Sequence, residues 1–274
     1  MASESVVLSA LAAYREHITG VNRRALSTLI PQIETLTLDE PDLFESPEEE
    51  TEVRLQYALR LVGAPRANTQ PPIKRPSDIL HHWAVIAPQI ALDGASVHPD
   101  PAWRAEMRDA YTAAVLSGLE RIECPTNTWT LPADFGIVMR HVDSLEGPGW
   151  RMLREMSERL IFWEGWGMAG FVDVDRVEQS VRSGDDIINT TVGINDEYEV
   201  AGGWACGRGN EATCYVMYSR CKGGEDWSWR YVADLGQYGT EVFDHIVALL
   251  DWYKTYDEPS ENDFKVTAGE VFQV

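Results

Sequence analysis

The chain has 274 residues, 44% of them hydrophobic, with ten tryptophans: material for one large domain or two smaller ones, and well above the disordered range. Its 44 acidic and 23 basic residues leave a formal charge of −21, a field that repels phosphate backbones and anionic bilayers and so disfavours nucleic acid and membrane surfaces as partners. A basic protein partner is favoured instead, although net charge also serves solubility alone.

Met1-Ala2-Ser3-Glu4-Ser5 runs straight into an amphipathic pattern, without the basic and apolar blocks of a signal peptide. No apolar run approaches the roughly 20 residues that cross a bilayer. Cys124, Cys206, Cys214 and Cys221 show no C-x-x-C pairing, so buried free thiols in a reducing compartment, cytoplasm or nucleus, are expected.

The predicted elements begin with a helix from Val6 to about Thr19, where Val7, Leu8, Leu11, Tyr14 and Ile18 recur at spacings of three and four. A second starts near Asn22 and carries Ala25, Leu26, Leu29, Ile33 and Leu36, with Pro31 expected to kink or interrupt it. Asp39 to Glu52 packs carboxylates around Pro41 and Pro47, which predicts an extended acidic linker over 39–52. Leu43-Phe44 would give that arm an apolar anchor if it met a partner. Val53 to Val62 reads as a helix stopped by Gly63, and Asn68 to Pro76 as an extended loop. Ser77 caps a helix through Leu80 and Trp83, and Asp100-Pro101 opens one running toward Ile122.

The character changes after Cys124-Pro125. Leu131-Pro132-Ala133-Asp134-Phe135 opens a further helix, and Gly147-Pro148-Gly149 then breaks the chain. Glycine, aromatic and β-branched residues dominate from Trp163, with strands expected over Tyr198–Cys206, Thr213–Arg220 and Trp227–Val232. Helical periodicity returns over Val242–Tyr253, and the tail beyond Tyr256 is expected to be loosely held. The fold class is therefore α+β, with an N-terminal helical region over residues 1–125.

Little in the sequence points to catalysis. His81 and His82, as helix neighbours, diverge by about 100° and cannot share a metal ion in the manner of an i, i+4 pair. Gly202 to Asn210 resembles a phosphate loop but lacks its lysine and its following helix, so a hairpin turn is the better reading. The pairs Asp173/Asp175, Asp185/Asp186 and Asp196/Glu197 arise readily among 44 acids, and Asp173-Val174-Asp175 alternates like an exposed strand face. Cys206, Cys214 and Cys221 lack metal spacing, and Arg220 beside Cys221 is the one hint of thiol activation. Neither a metal nor any other cofactor is expected.

Seven of the ten tryptophans fall from Trp150 to Trp252, which makes the second half the aromatic one. Trp227 and Trp229 alternate and so share one sheet face, either as core under a helix or as an exposed patch rimmed by acids.

Several features in order resemble the SUKH superfamily, the group that includes fungal cell-wall-assembly regulators. They are Leu131-Pro132-Ala133-Asp134-Phe135, Trp163-Glu164-Gly165-Trp166-Gly167, the turn Gly207-Arg208-Gly209-Asn210 before a strand over Ala212 to Tyr218, Trp229-Arg230-Tyr231-Val232-Ala233-Asp234 and a closing helix over Val242 to Leu250. The resemblance implies a helix-flanked, mainly antiparallel sheet over residues 126–256, followed by a tail over 257–274. It also implies a binding module, since bacterial members neutralise toxins and fungal members act in cell-wall and signalling networks, with no catalytic residue in the shared pattern. The expectation is a non-enzymatic protein-interaction module, regulatory or scaffolding, with Trp204, Gly207, Arg208, Asn210, Trp227 and Trp229 as its contact region. Two alternatives stay open: an immunity-type inhibitor of a basic toxin or nuclease, and a hydrolase with a dispersed carboxylate site.

Overall fold

A computed structural model describes residues 3–37, 44–64, 69–147, 160–166, 170–209, 211–256, 258, 260, 262 and 264–272. In chain order the helical part holds α1 (Glu4–Thr35), α2 (Pro47–Leu61), α3 (Asp78–His81) and α4 (Trp83–Gln89). Then come β1 (Ala95–Ser96), α5 (Pro101–Leu119), α6 (Ala133–His141), β2 (Ser144–Leu145), α7 (Val174–Ser180) and β3 (Val181–Ser183). Last are α8 (Gly184–Thr190), α9 (Ile194–Glu197), β4 (Tyr198–Arg208), β5 (Thr213–Cys221), β6 (Ser228–Asp234), β7 (Thr240–Phe243), α10 (Ile246–Tyr253) and α11 (Ala268–Phe272). The architecture is α+β, and β3 to β7 form one antiparallel sheet in sequence order.

The chain gathers into two compact units. One contains the chain up to Tyr14, Ala95–Gly147 and Leu160–Tyr253; the other contains Arg15–Gly94 and the described residues after Tyr253. α5, which precedes residue 125, belongs to the sheet unit: Tyr111 accepts a 3.0 Å hydrogen bond from the Trp204 indole on β4.

In the helical unit the expected break in α1 does not occur. Pro31 and Ser27 both face solvent, so water can serve the carbonyl that Pro31 cannot reach. On the opposite side Ala25, Leu26, Leu29, Ile30 and Ile33 stay buried without interruption. The described end of the acidic stretch is helical. Ser46 accepts from the Glu49 N–H, Pro47 fills the first turn, and Glu48, Glu49 and Glu50 sit where the helix dipole favours negative charge. Residues 47–52 are therefore helix, while Asp39 to Leu43 lie outside the described residues. Among the described residues of the tail, Phe264, Val266, Val271 and Phe272 join the core around Leu29, Tyr57 and Trp83.

In the sheet unit both faces are covered. Trp204, Val216 and Tyr231 stand in register across β4, β5 and β6 on one face, under Phe135 of α6 and Phe162. Tyr215, Met217 and Val232 line the other face, under Ile187 of α8 and Ile194 of α9. Each such fully buried aromatic or aliphatic side chain contributes roughly 1.5–3 kcal/mol. A carboxylate ties the first layer together: buried Asp134 accepts from the Tyr231 hydroxyl at 2.7 Å and from the Ile246 N–H at 3.0 Å, joining α6, β6 and α10. The expected helix over Val242–Tyr253 is split, because Thr240–Phe243 pairs with β6 before the helix begins at Ile246.

Candidate functional site

The three predicted strands are present as β4, β5 and β6, and their pairing assembles an aromatic surface at one end. Tyr218 of β5 lies opposite Trp229 of β6, with ring centroids 5.0 Å apart. Trp227, just before β6, stacks on Tyr218 at 5.8 Å, so the two alternating tryptophans contact the same ring. Trp129, from the segment ahead of α6, closes the group at 5.5 Å from Tyr218 and 5.9 Å from Trp229. All four rings are half-buried.

Two of these indoles are anchored by their N–H groups. Trp129 donates to the Ile122 carbonyl at 3.0 Å and Trp229 to the Thr130 carbonyl at 2.8 Å, which fixes the ring planes while leaving edges at the surface. The Arg220 guanidinium lies 4.9 Å over the Trp227 ring and pairs with Glu199 at 2.6 Å. The neighbouring loop exposes Glu225 and Asp226. Tryptophan, tyrosine and arginine are the residue types that carry most binding energy where protein interfaces form.

Of the predicted contact residues, Trp227 and Trp229 are in this group and Trp204 is not a surface residue. Trp204 is fully buried, 5.9 Å from Phe135 and 5.5 Å from Trp229, so it supports the aromatic group from the core. Gly207 is not in the turn but inside β4, where the carbonyls of Ile161 and Phe162 approach the space a side chain would take. Arg208 lies at the far end of β4, away from the aromatic group on the strand, and Asn210 lies outside the described residues. Trp129, Tyr218 and Arg220 were missed; a lone tryptophan inside the polar stretch Pro125 to Thr130 was the available signal for the first.

Arg208 borders a second feature, an open cleft of about 420 Å³ between the end of β4, the Glu164-Gly165 segment and α7–β3. Arg176, Arg182 and Arg208 line it together with Glu164 and Asp173. Glu164 accepts from Arg208 at 2.6 Å with one carboxylate oxygen and from Arg176 at 2.9 Å with the other. Asp173 accepts from the Arg176 N–H at 3.1 Å as the cap of α7, so Asp173-Val174-Asp175 starts a helix and not the expected strand edge. Tyr111 and Cys206 lie in the cleft wall, and burial pushes both groups up from their ordinary values, which keeps phenol and thiol protonated.

The other candidates resolve simply. Burial likewise holds the Cys214 thiol protonated, while Cys221 is exposed and Arg220 beside it turns to Glu199 and Trp227. His81 ends α3 and His82 joins it to α4, both exposed. Asp186 completes a capping box with Ser183 at the start of α8. Among the described residues no group of three or more His, Cys, Asp or Glu side chains is placed to hold a metal ion, and no helix is long and apolar enough to cross a membrane. No family model, curated protein or solved structure matches the chain.

Proposed function

We propose that the chain is a non-enzymatic protein-interaction module that docks a basic segment of a partner on the aromatic end of its sheet. The carrying observation is the anchored cluster of Trp129, Tyr218, Trp227 and Trp229 with Arg220 stacked on it. Rigid, half-buried aromatics lose little conformational entropy on binding and offer large apolar contact, which is why such residues dominate binding energy. Exposed Glu225 and Asp226 and the net charge of −21 supply the attraction for a basic segment. The ordered features that resemble the SUKH superfamily support the same reading.

The test is affinity capture with the full chain, comparing Trp227→Ala and Tyr218→Ala with Tyr238→Ala, whose ring is 82% exposed in the 3-10 turn before β7. Both cluster variants should weaken the captured partner by about thirtyfold or more, and Tyr238→Ala should leave it unchanged. Binding should also weaken steeply with added salt. Equal capture by wild type and Trp227→Ala, with both proteins folded by near-ultraviolet circular dichroism, would remove the proposal.

A further inference from the structure

We propose that the cleft at the far end of β4 is a binding site for a small organic anion, with a carboxylate or phosphate head group and an apolar body. The inference is independent of the aromatic end and stands on the lining of the cleft.

Charge is the first observation. In a chain with 44 acidic and 23 basic residues, this cleft gathers Arg176, Arg182 and Arg208 against the carboxylates Glu164 and Asp173, leaving three positive side chains facing two negative ones. A local excess of guanidinium inside a strongly acidic field draws an anion to that one place. Guanidinium groups bind carboxylate and phosphate through paired N–H donors, which suits a compact oxyanion.

The second observation is geometric. The Glu164 carboxylate bridges two of the arginines, with one oxygen on each, so Arg176 and Arg208 converge on one oxyanion, an internal one with which an arriving anion would compete. The side chains of Arg176 and Arg208 are 61% and 69% exposed while Glu164 is 24% exposed, so an arriving anion reaches either guanidinium from the solvent side while Glu164 keeps its bond to the other.

The third observation concerns size and apolar surface. About 420 Å³ falls within the range of small-molecule sites. Phe171 lies on the cleft wall with 58% of its surface exposed, beside Val177, and offers an apolar body a face to cover. Tyr111 and Cys206 form the buried wall of the cleft behind this surface.

The experiment is calorimetric titration of the full chain with phenyl phosphate and phenylacetate, and with benzyl alcohol as the neutral counterpart. Wild type should bind at least one anion with Kd of about 1 mM or tighter and should not bind benzyl alcohol. Arg208→Gln should weaken binding by about tenfold or more, because a charged donor is lost from an exposed position that does not hold the fold. Glu164→Gln should tighten it severalfold, because the internal competitor loses its charge. The tighter of the two anions identifies the head group. Unchanged affinity in Arg208→Gln, weaker binding by Glu164→Gln, or no heat with either anion in wild type and Glu164→Gln would each overturn the proposal. None of these outcomes touches partner capture at Trp227, so the two readings fail separately.

Discussion

Gly207→Ala should destabilise the sheet unit by roughly 3 kcal/mol or more, a large cost for one added methyl group. The added carbon would lie 2.0 Å from the Ile161 carbonyl oxygen and 2.2 Å from that of Phe162. Both obstacles are backbone, so no rotamer change relieves them. The approach is close because residues 161–164 pair with the end of β4: Ile161 and Arg208 exchange hydrogen bonds of 2.8 and 2.9 Å, and the Glu164 N–H reaches the Cys206 carbonyl at 3.0 Å. Displacing that segment would also disturb Phe162 and Trp163, which are fully buried. Gly136→Ala provides the opposite sign, because no heavy atom lies within 4 Å of its position in α6 and alanine favours a helix by roughly 0.5–1 kcal/mol. Urea unfolding of the two variants measures both effects, and a Gly207→Ala midpoint equal to wild type would show that residues 161–164 do not pair with β4.

Asp134→Ala should cost about 2–5 kcal/mol, since it removes the acceptor of three buried donors at once, the Tyr231 hydroxyl and the N–H groups of Ile246 and Phe135. The Tyr231 hydroxyl and the Ile246 N–H both lose their acceptor, and Tyr231 is 1% exposed, so water cannot replace it. Burial, and then the Asp134 carboxylate beside it, push the Tyr231 phenol well above its ordinary value, which keeps it a donor as pH rises. Tyr231→Phe should cost less, because Asp134 keeps the N–H groups of Ile246 and Phe135. In the double variant the two losses should not add, as expected of groups that share one hydrogen bond. Strict additivity in denaturant unfolding would mean that the bond between them contributes nothing.

The strands were legible because alternation is local: Trp227 and Trp229 announce a shared face, and β5 and β6 place both against Tyr218. Asp100-Pro101 was legible for the same reason, since the cap and the proline that starts α5 are adjacent. What alternation does not encode is depth. Trp204 has the parity of Trp229 yet lies under it, fully buried, because Phe135 arrives from a helix seventy residues upstream. The tail misled in a similar way: Phe264 and Phe272 look isolated in a polar stretch until α1 and α2 supply the core around them. Pro31 was read as a breaker because the rule concerns the lost hydrogen bond, and here that bond faces water. The arginine cleft had no local pattern, since Arg176, Arg182 and Arg208 come together only when β3 pairs with β4.

Site-directed photo-cross-linking tests the docking account most directly. A benzophenone side chain placed at Asp226, exposed beside Trp227, should form one salt-sensitive adduct with a basic partner protein. The same group at Val192, 57% exposed and next to β7 through the Thr240 hydroxyl, should form none. Adducts at Val192 and none at Asp226, from a chain that still captures its partner, would place docking elsewhere and contradict the role given to the aromatic end.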